Sequence, residues 1–384
     1  MKTWTLVAAV LLSLPTTLAA QGLSDRQVTD MVRDAFTPVI EEYDIPGLVV
    51  GITLRGKQHF YATGLAAREG EIAASPETIF ELGSISKIFN ATLATFAEQQ
   101  GQIDLNAPVS DKLTDLQGSA FGGIRLIDLA THVTGGLPLQ VPRKVQDVPE
   151  LINWLADWQP PHPRTRSYSN VSIGLLGHIT ASAMGMPYAQ AAEEILFPAM
   201  GLNSTFINVP DTAMDRYAYG YDRKTDAPIR VNPGVLADEA YGVKSTARDM
   251  VRLLDLQLGH GDVTPALSAA LDRTREGHAK TAYYTQNMIW EQYPWPVDLA
   301  AMEAGNGYDF ILSPQPSEAI MPPLPPQQDV ILNKTGATNG FGGYVVLLPA
   351  QDLGIVVLAN RNYPNEARVR TTYHLVEDLL GAQE

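Results

Sequence analysis

Ser84 and Lys87 stand three residues apart in the run Phe80-Glu81-Leu82-Gly83-Ser84-Ile85-Ser86-Lys87, a spacing that permits nucleophilic chemistry. A serine hydroxyl attacks well only when a neighbouring base takes its proton. Apolar residues at Ile85, Ile88, Phe89, Leu93 and Phe96 recur at helical spacing, which puts both residues at the first turn of a helix. Positions i and i+3 share a helix face, so Lys87 projects beside Ser84 as a candidate base. The unpaired N–H groups of a helix start favour negative charge, as an oxyanion next to the serine requires. A solvent-facing helix pair has the same spacing, so the pair decides nothing by itself.

Two further short motifs change the weighing. Tyr168-Ser169-Asn170 precedes the apolar run Val171 to Ile179, and Lys334-Thr335-Gly336 precedes the strand-like run Gly343 to Leu348. Taken singly, Tyr168 reads equally as a buried aromatic and Lys334 as an exposed strand-edge lysine. Together they supply what a serine site needs. A tyrosine titrating near pH 10 can exchange protons at neutral pH only if cations favour its phenolate, and Lys87 and Lys334 are two such cations. The seven histidines never fall at metal-ligand spacing, so neither a metal nor another cofactor is expected.

The elements that must position these residues can be read from periodicity. Ser24-Asp25-Arg26-Gln27 is a capping box opening an amphipathic helix that ends near Tyr43. Leu48 to Leu54 and Phe60 to Leu65 read as two strands around Arg55-Gly56-Lys57; Gly343 to Leu348 and Leu353 to Ala359 read as a second hairpin. A last helix runs from about Asn365 to Leu380. Hairpins at both ends, each beside a terminal helix, predict an α/β fold. An antiparallel sheet is built from the two chain ends, residues 21–82 and 285–384, and flanked by helices. Residues 83–284 form a mainly helical region, with the site in the cleft between. Pro314 to Gln327 holds six prolines and reads as an irregular surface segment.

Residues 1–20 read as an export signal: Lys2, then an apolar core from Leu6 to Leu14, then small residues for cleavage near Ala19 or Ala20. That core is too short to span a bilayer, so no membrane anchor is expected in the mature form. The 384 residues include no cysteine, so stability rests on an ordinary core, which a chain of this length and 45% hydrophobic content can build. Export without disulfides fits a bacterial periplasm. A formal net charge of −15 argues against nucleic acid or an anionic membrane as partner, and the default is a monomer.

The set Ser84-x-x-Lys87, Tyr168-Ser169-Asn170 and Lys334-Thr335-Gly336 resembles the penicillin-recognising serine enzymes. Longer blocks resemble their class C β-lactamases: Phe80 to Lys87, Gly135 to Pro142, Ala240 to Thr246, Lys334 to Gly342, and Leu358-Ala359-Asn360 with Asn362-Tyr363-Pro364 and Ala367-Arg368. The resemblance spans essentially the whole mature chain. It implies that Ser84 attacks a lactam carbonyl to form an acyl-enzyme and that Lys87 holds the proton inventory beside it. Tyr168 would face the lactam nitrogen, with Lys87 or Tyr168 as the acylation base. It further implies an oxyanion hole from the backbone N–H groups of Ser84 and Ala337. Asn170 would hydrogen-bond Lys87 and the substrate amide, and Gln140 and Tyr241 would line the acylamino pocket. Lys334, Thr335, Gly336, Asn365 and Arg368 would serve the substrate carboxylate.

What the sequence departs from also bears on function. The second motif is Tyr-Ser-Asn rather than the Ser-Asp-Asn of class A enzymes, and no Glu-x-x-x-Asn element follows it, so the acyl-enzyme's water must be activated near Tyr168. Asn333 stands where many relatives carry histidine, which reads as substrate tuning, and Asn339 stands where glycine is common. The segment Met288 to Pro326 departs most. The expected reaction is hydrolysis of cephalosporins and penicillins; the alternatives are a D,D-peptidase or esterase on the same fold, or a catalytically dead penicillin-binding module.

Overall fold

The computed structural model describes residues 23–382, so the export-signal assignment lies outside the described residues. Ser24 caps the first helix (α1, Asp25–Glu42) as its sequence predicts. Its hydroxyl accepts from Gln27 N at 3.3 Å, while Gln27 Oε1 accepts from Ser24 N at 3.0 Å. Val28, Val32, Phe36 and Val39 recur along one face of α1 and are buried against the sheet.

Among the described residues, ten strands form one sheet. In chain order they are Gly47–Leu54 (β1), Lys57–Ala67 (β2), Ile72–Ala73 (β3), Gly277–Lys280 (β4), Thr285–Gln286 (β5), Glu291–Pro294 (β6), Glu318–Leu324 (β7), Val330–Ala337 (β8), Gly342–Leu348 (β9) and Leu353–Ala359 (β10). Their spatial order is β7-β4-β5-β6-β8-β9-β10-β1-β2-β3, with every pairing antiparallel. The two chain ends meet where β1 pairs with β10, Val50 opposite Val357. Leu48, Val50, Ile52 and Leu54 point into a core under α1 and the last helix, while Val49 points into the larger core on the other face. Both faces are covered, so β1 reads as an unbroken apolar run rather than an alternating one.

The larger core belongs to the helical region. Its centre is Ser86–Gln99 (α2), buried on all sides from Ser86 to Ala97. It packs against Asn170–Ala183 (α3) and Pro265–Thr274 (α5), while Ala247–Gln257 (α4) seals the sheet face against β1 and β10. The last helix, α6, is Asn365–Gly381.

Two sequence expectations need correcting. The helical region ends at Thr274, because Gly277–Lys280 already belongs to the sheet. The proline-rich segment is not irregular: Glu318–Leu324 is the edge strand β7, paired with β4. An edge strand leaves one row of N–H groups unpaired, so proline is tolerated there, and turn-like composition hid a strand.

Candidate active site

Gly83–Ile85 form one 3₁₀ turn that runs directly into α2, so Ser84 sits just ahead of the α-helix itself. The turn starts at Gly83 with φ +53°, a left-handed conformation that glycine adopts without a steric cost. Lys87 lies one turn on and is fully buried. Its Nζ donates to Ser84 Oγ at 2.9 Å and to the carbonyl of Ala240 at 2.8 Å. That carbonyl comes from the short helix Ala237–Tyr241. Burial lowers the Lys87 pKa, Lys334 lowers it further, and Tyr168 opposes both. Among the described residues Asn170 Oδ1 has no hydrogen-bond partner, so the expected hydrogen bond to Lys87 is not made.

β8 brings the second half of the site. It pairs with β6 only from Val330 to Asn333, so among the described residues no strand pairs with its last residues on that side. Thr338 N donates to Phe341 O across the turn toward β9. Successive N–H groups on a strand point to opposite sides, so Ala337 N points away from β9, toward the Ser84 turn. The approach there is close: a Cβ on Gly83 would fall 2.4 Å from Ala337 O, and one on Gly336 would fall 2.2 Å from Leu82 O. Two glycines thus let the two backbones touch, which the oxyanion hole expected from Ser84 and Ala337 requires.

Tyr168 enters from the residue pair preceding α3, where Ser169 caps the helix by accepting from Ser172 N. Three cations surround its ring: Lys87 Nζ at 5.1 Å, Lys334 Nζ at 5.2 Å and Arg166 Cζ at 5.2 Å from the centroid. Burial pushes the phenol pKa up, but the Lys334 and Lys87 ammoniums outweigh it and hold the group below the ordinary tyrosine range. His132 packs on the ring at 4.6 Å. Burial, with Arg166, Lys87 and Lys334 nearby, drives the His132 pKa well down, so it is neutral at pH 7. One buried carboxylate balances this positive cluster: Glu291 lies 3.5 Å from Arg166 and 3.6 Å from Lys334.

The cleft above these groups encloses about 600 Å³. Of the residues expected from sequence, Ser84, Gln140, Tyr168, Asn170, Tyr241, Lys334, Thr335, Gly336, Ala337 and Asn365 all line it, and so does Asn339. Lys87 lies beneath, behind Ser84. Arg368 is a correction. Its guanidinium is fully buried and donates to Gly336 O at 2.9 Å, to Asn362 Oδ1 at 2.7 Å and to Tyr363 O, so it cannot also receive a substrate carboxylate. Asn333 is a second: it is buried and donates to Glu291 O at 3.0 Å rather than lining the cleft. Among the described residues, no three His, Asp or Glu side chains cluster as a metal site.

The sequence reading missed Arg166, Glu291 and the Ala240 carbonyl. Arg166 lies two residues before Tyr168 and offers no motif; Glu291 lies in the divergent segment. The family model for Beta-lactamase matches residues 32–379. The chain belongs to the β-lactamase family. A crystal structure of a β-lactamase from Sulfitobacter sp. EE-36 is 74% identical, with a TM-score of 0.93, covering 94% of this chain and 100% of that one. A class C β-lactamase from Rhodobacter sphaeroides is 62% identical with a TM-score of 0.90, covering 91% and 99%. A curated β-lactamase from Psychrobacter immobilis is 40% identical over 378 residues, 98% of this chain and 93% of the relative. The mixed α/β architecture is that of the class C β-lactamases, and the protein is a hydrolytic enzyme of that class.

Proposed function

We propose that this β-lactamase acts through an acyl-enzyme on Ser84 and that the residues around it divide the work as follows. Ser84 Oγ attacks the lactam carbonyl, and its proton passes to the Tyr168 phenolate or to Lys87 in its neutral amine form, an ammonium having no lone pair to take it. The N–H groups of Ser84 and Ala337 hold the oxyanion. The C–N bond then breaks, and Tyr168 passes a proton to the departing nitrogen. Water activated at Tyr168 completes hydrolysis. Lys334, Thr335 and Asn365 receive the substrate carboxylate; Gln140, Asn170 and Tyr241 face the acylamino side chain. The observation that carries this reading is the buried Lys87 ammonium 2.9 Å from Ser84 Oγ, with Tyr168 held between cations in the same cleft.

A class C relative of 38% identity has been solved in complex with cefoxitin, which supports a cephalosporin-type substrate. Export to the periplasm, loss of residues 1–20 and a monomeric state complete the proposal. Purified mature protein is expected to turn over many equivalents of a chromogenic cephalosporin with a chelator present. A second reading, a D-alanine carboxypeptidase, is favoured by two relatives whose names include that activity, from Pseudomonas syringae at 46% and Burkholderia cenocepacia at 39% identity. A stoichiometric burst followed by a stable adduct would select it.

A further inference from the structure

Three residues before the nucleophile, Glu81 is buried, and among the described residues it joins no ion pair. A buried carboxylate without a cation in contact must be held by hydrogen bonds, and each donor lost is costly. Glu81 has three. Its Oε1 accepts from Tyr217 Oη at 2.7 Å and from Val231 N at 2.6 Å, and its Oε2 accepts from Thr338 Oγ1 at 2.6 Å.

Two of these donors, Val231 N and Thr338 Oγ1, belong to different segments lining the cleft, while Tyr217 is not among the lining residues. One segment is Ile229 to Asn232 and the other Ala337 to Gly340, and the two abut, since a Cβ on Gly340 would lie 2.9 Å from Ile229 Cγ1. The first wall continues to the acylamino pocket, since a Cβ on Gly234 would lie 3.4 Å from the Tyr241 hydroxyl. The same wall is latched from outside, where the Arg230 guanidinium stacks on Tyr217 at 3.9 Å and on Tyr219 at 4.2 Å. Lys244 stands opposite Glu81 in a short strand pairing and its charge is favoured by the carboxylate, but the three close contacts of Glu81 are hydrogen bonds. Those to Val231 and Thr338 are fixed lengths between one carboxylate and separate segments of the cleft.

We infer that Glu81 is a positioning residue for substrate selection. One oxygen fixes how far the 229–232 wall stands from Ser84, and the other fixes the strand end beside Ala337 N. The carboxylate therefore sets the width available to the acyl substituent of a bound lactam, and it disfavours bulky substituents. The inference rests on the β-lactamase reading and deepens it.

The test compares kcat/KM for a cephalosporin with a compact arylacetyl substituent and for one with a bulky oxyimino substituent. Glu81→Ala frees both walls. It is expected to lower kcat on the compact substrate about tenfold and to shift the bulky-to-compact ratio at least fivefold toward the bulky one. Glu81→Gln keeps one acceptor oxygen for Tyr217 and Val231, and its amide can donate to Thr338 Oγ1 instead of accepting, so its ratio should stay within twofold of wild type. Tyr217→Phe removes one donor without touching the cleft lining and should move the ratio in the same direction as Glu81→Ala by about twofold. This variant keeps the inference testable if Glu81→Ala does not fold. An unchanged ratio in Glu81→Ala or Tyr217→Phe would overturn the inference, as would a Gln variant that behaves like Ala. Absence of turnover by the wild-type enzyme would instead overturn the β-lactamase reading on which it rests.

Discussion

Replacing Gly83 by alanine tests how the nucleophile turn and the oxyanion strand depend on each other. The perturbation is one methyl group, placed 2.4 Å from Ala337 O and 2.5 Å from Ala337 C and N. Ordinary contacts begin at 3.4 Å, so the two backbones must separate by about 1 Å. No side chain can yield, because every atom met is main chain. A shift of about 1 Å at reacting groups costs roughly 10²-fold, and losing one oxyanion donor costs about 10²–10³-fold. The left-handed φ of +53° adds about 1–2 kcal/mol of strain for a residue with a Cβ. The variant should therefore remain folded at 25 °C, with Tm lowered by a few degrees, while kcat for a chromogenic cephalosporin falls about 10²–10³-fold and KM changes little. Stopped-flow acylation rates beside a thermal melt separate the two effects. A kcat within about threefold of wild type, with the melt lowered as expected, would refute the claim that this contact sets the oxyanion hole.

Lys334→Ala removes one of the two ammoniums that hold Tyr168 below its ordinary range, so the Tyr168 pKa should rise. The acidic limb of kcat/KM against pH should move to higher pH; a limb that stays put or moves down would show that Tyr168 is not the titrating group. Arg368→Lys removes a guanidinium that braces Gly336 and Asn362, so stability should fall by about 2–3 kcal/mol in urea melts. Its KM for β-lactams should stay within about twofold; a large KM increase would restore the carboxylate-binding role. His278 is depressed to about 4, by burial first and then by Arg273 and Arg125, and His132 lies well below 6.5 in the folded state. Both bind protons more weakly folded than unfolded. Stability is therefore fully present above about pH 6.5 and is lost as pH falls, by about 1.4 kcal/mol per pH unit for each histidine. Urea melts between pH 7 and pH 5 should show this, with a shallower slope in His278→Gln; equal slopes would assign the acid loss elsewhere.

Much of the fold was legible because it is local. The Ser24–Gln27 box, the hairpins around Arg55-Gly56-Lys57 and Pro349 to Asp352, and the last helix each carry their own turn or period. Ser84, Tyr168 and Lys334 were legible as types at element boundaries, although nothing in their spacing said that they meet. The unread features arise from juxtaposition. Ala240 acts through a backbone carbonyl, which any residue possesses. Arg166 and Glu291 find each other across 125 positions, and Glu81 and Thr338 across 257. Arg368 was misplaced for the opposite reason: it stands in a run beside Asn365, three positions on, yet its guanidinium turns under Gly336 rather than toward the cleft. The prolines of Glu318–Leu324 signalled a turn by composition, whereas the sheet edge needed only that one row of N–H groups go unused.

The central claim is that Ser84 carries the acyl group and that water removes it. Intact-protein mass spectrometry during turnover of a slow oxyimino-cephalosporin, followed by peptide mapping, tests it most directly. The account predicts one equivalent of adduct on the peptide bearing Ser84. The adduct should decay as the substrate is exhausted and should be absent in Ser84→Ala, whose rate should be lower by about 10³-fold or more. An adduct on another residue, or full turnover by Ser84→Ala, would contradict it.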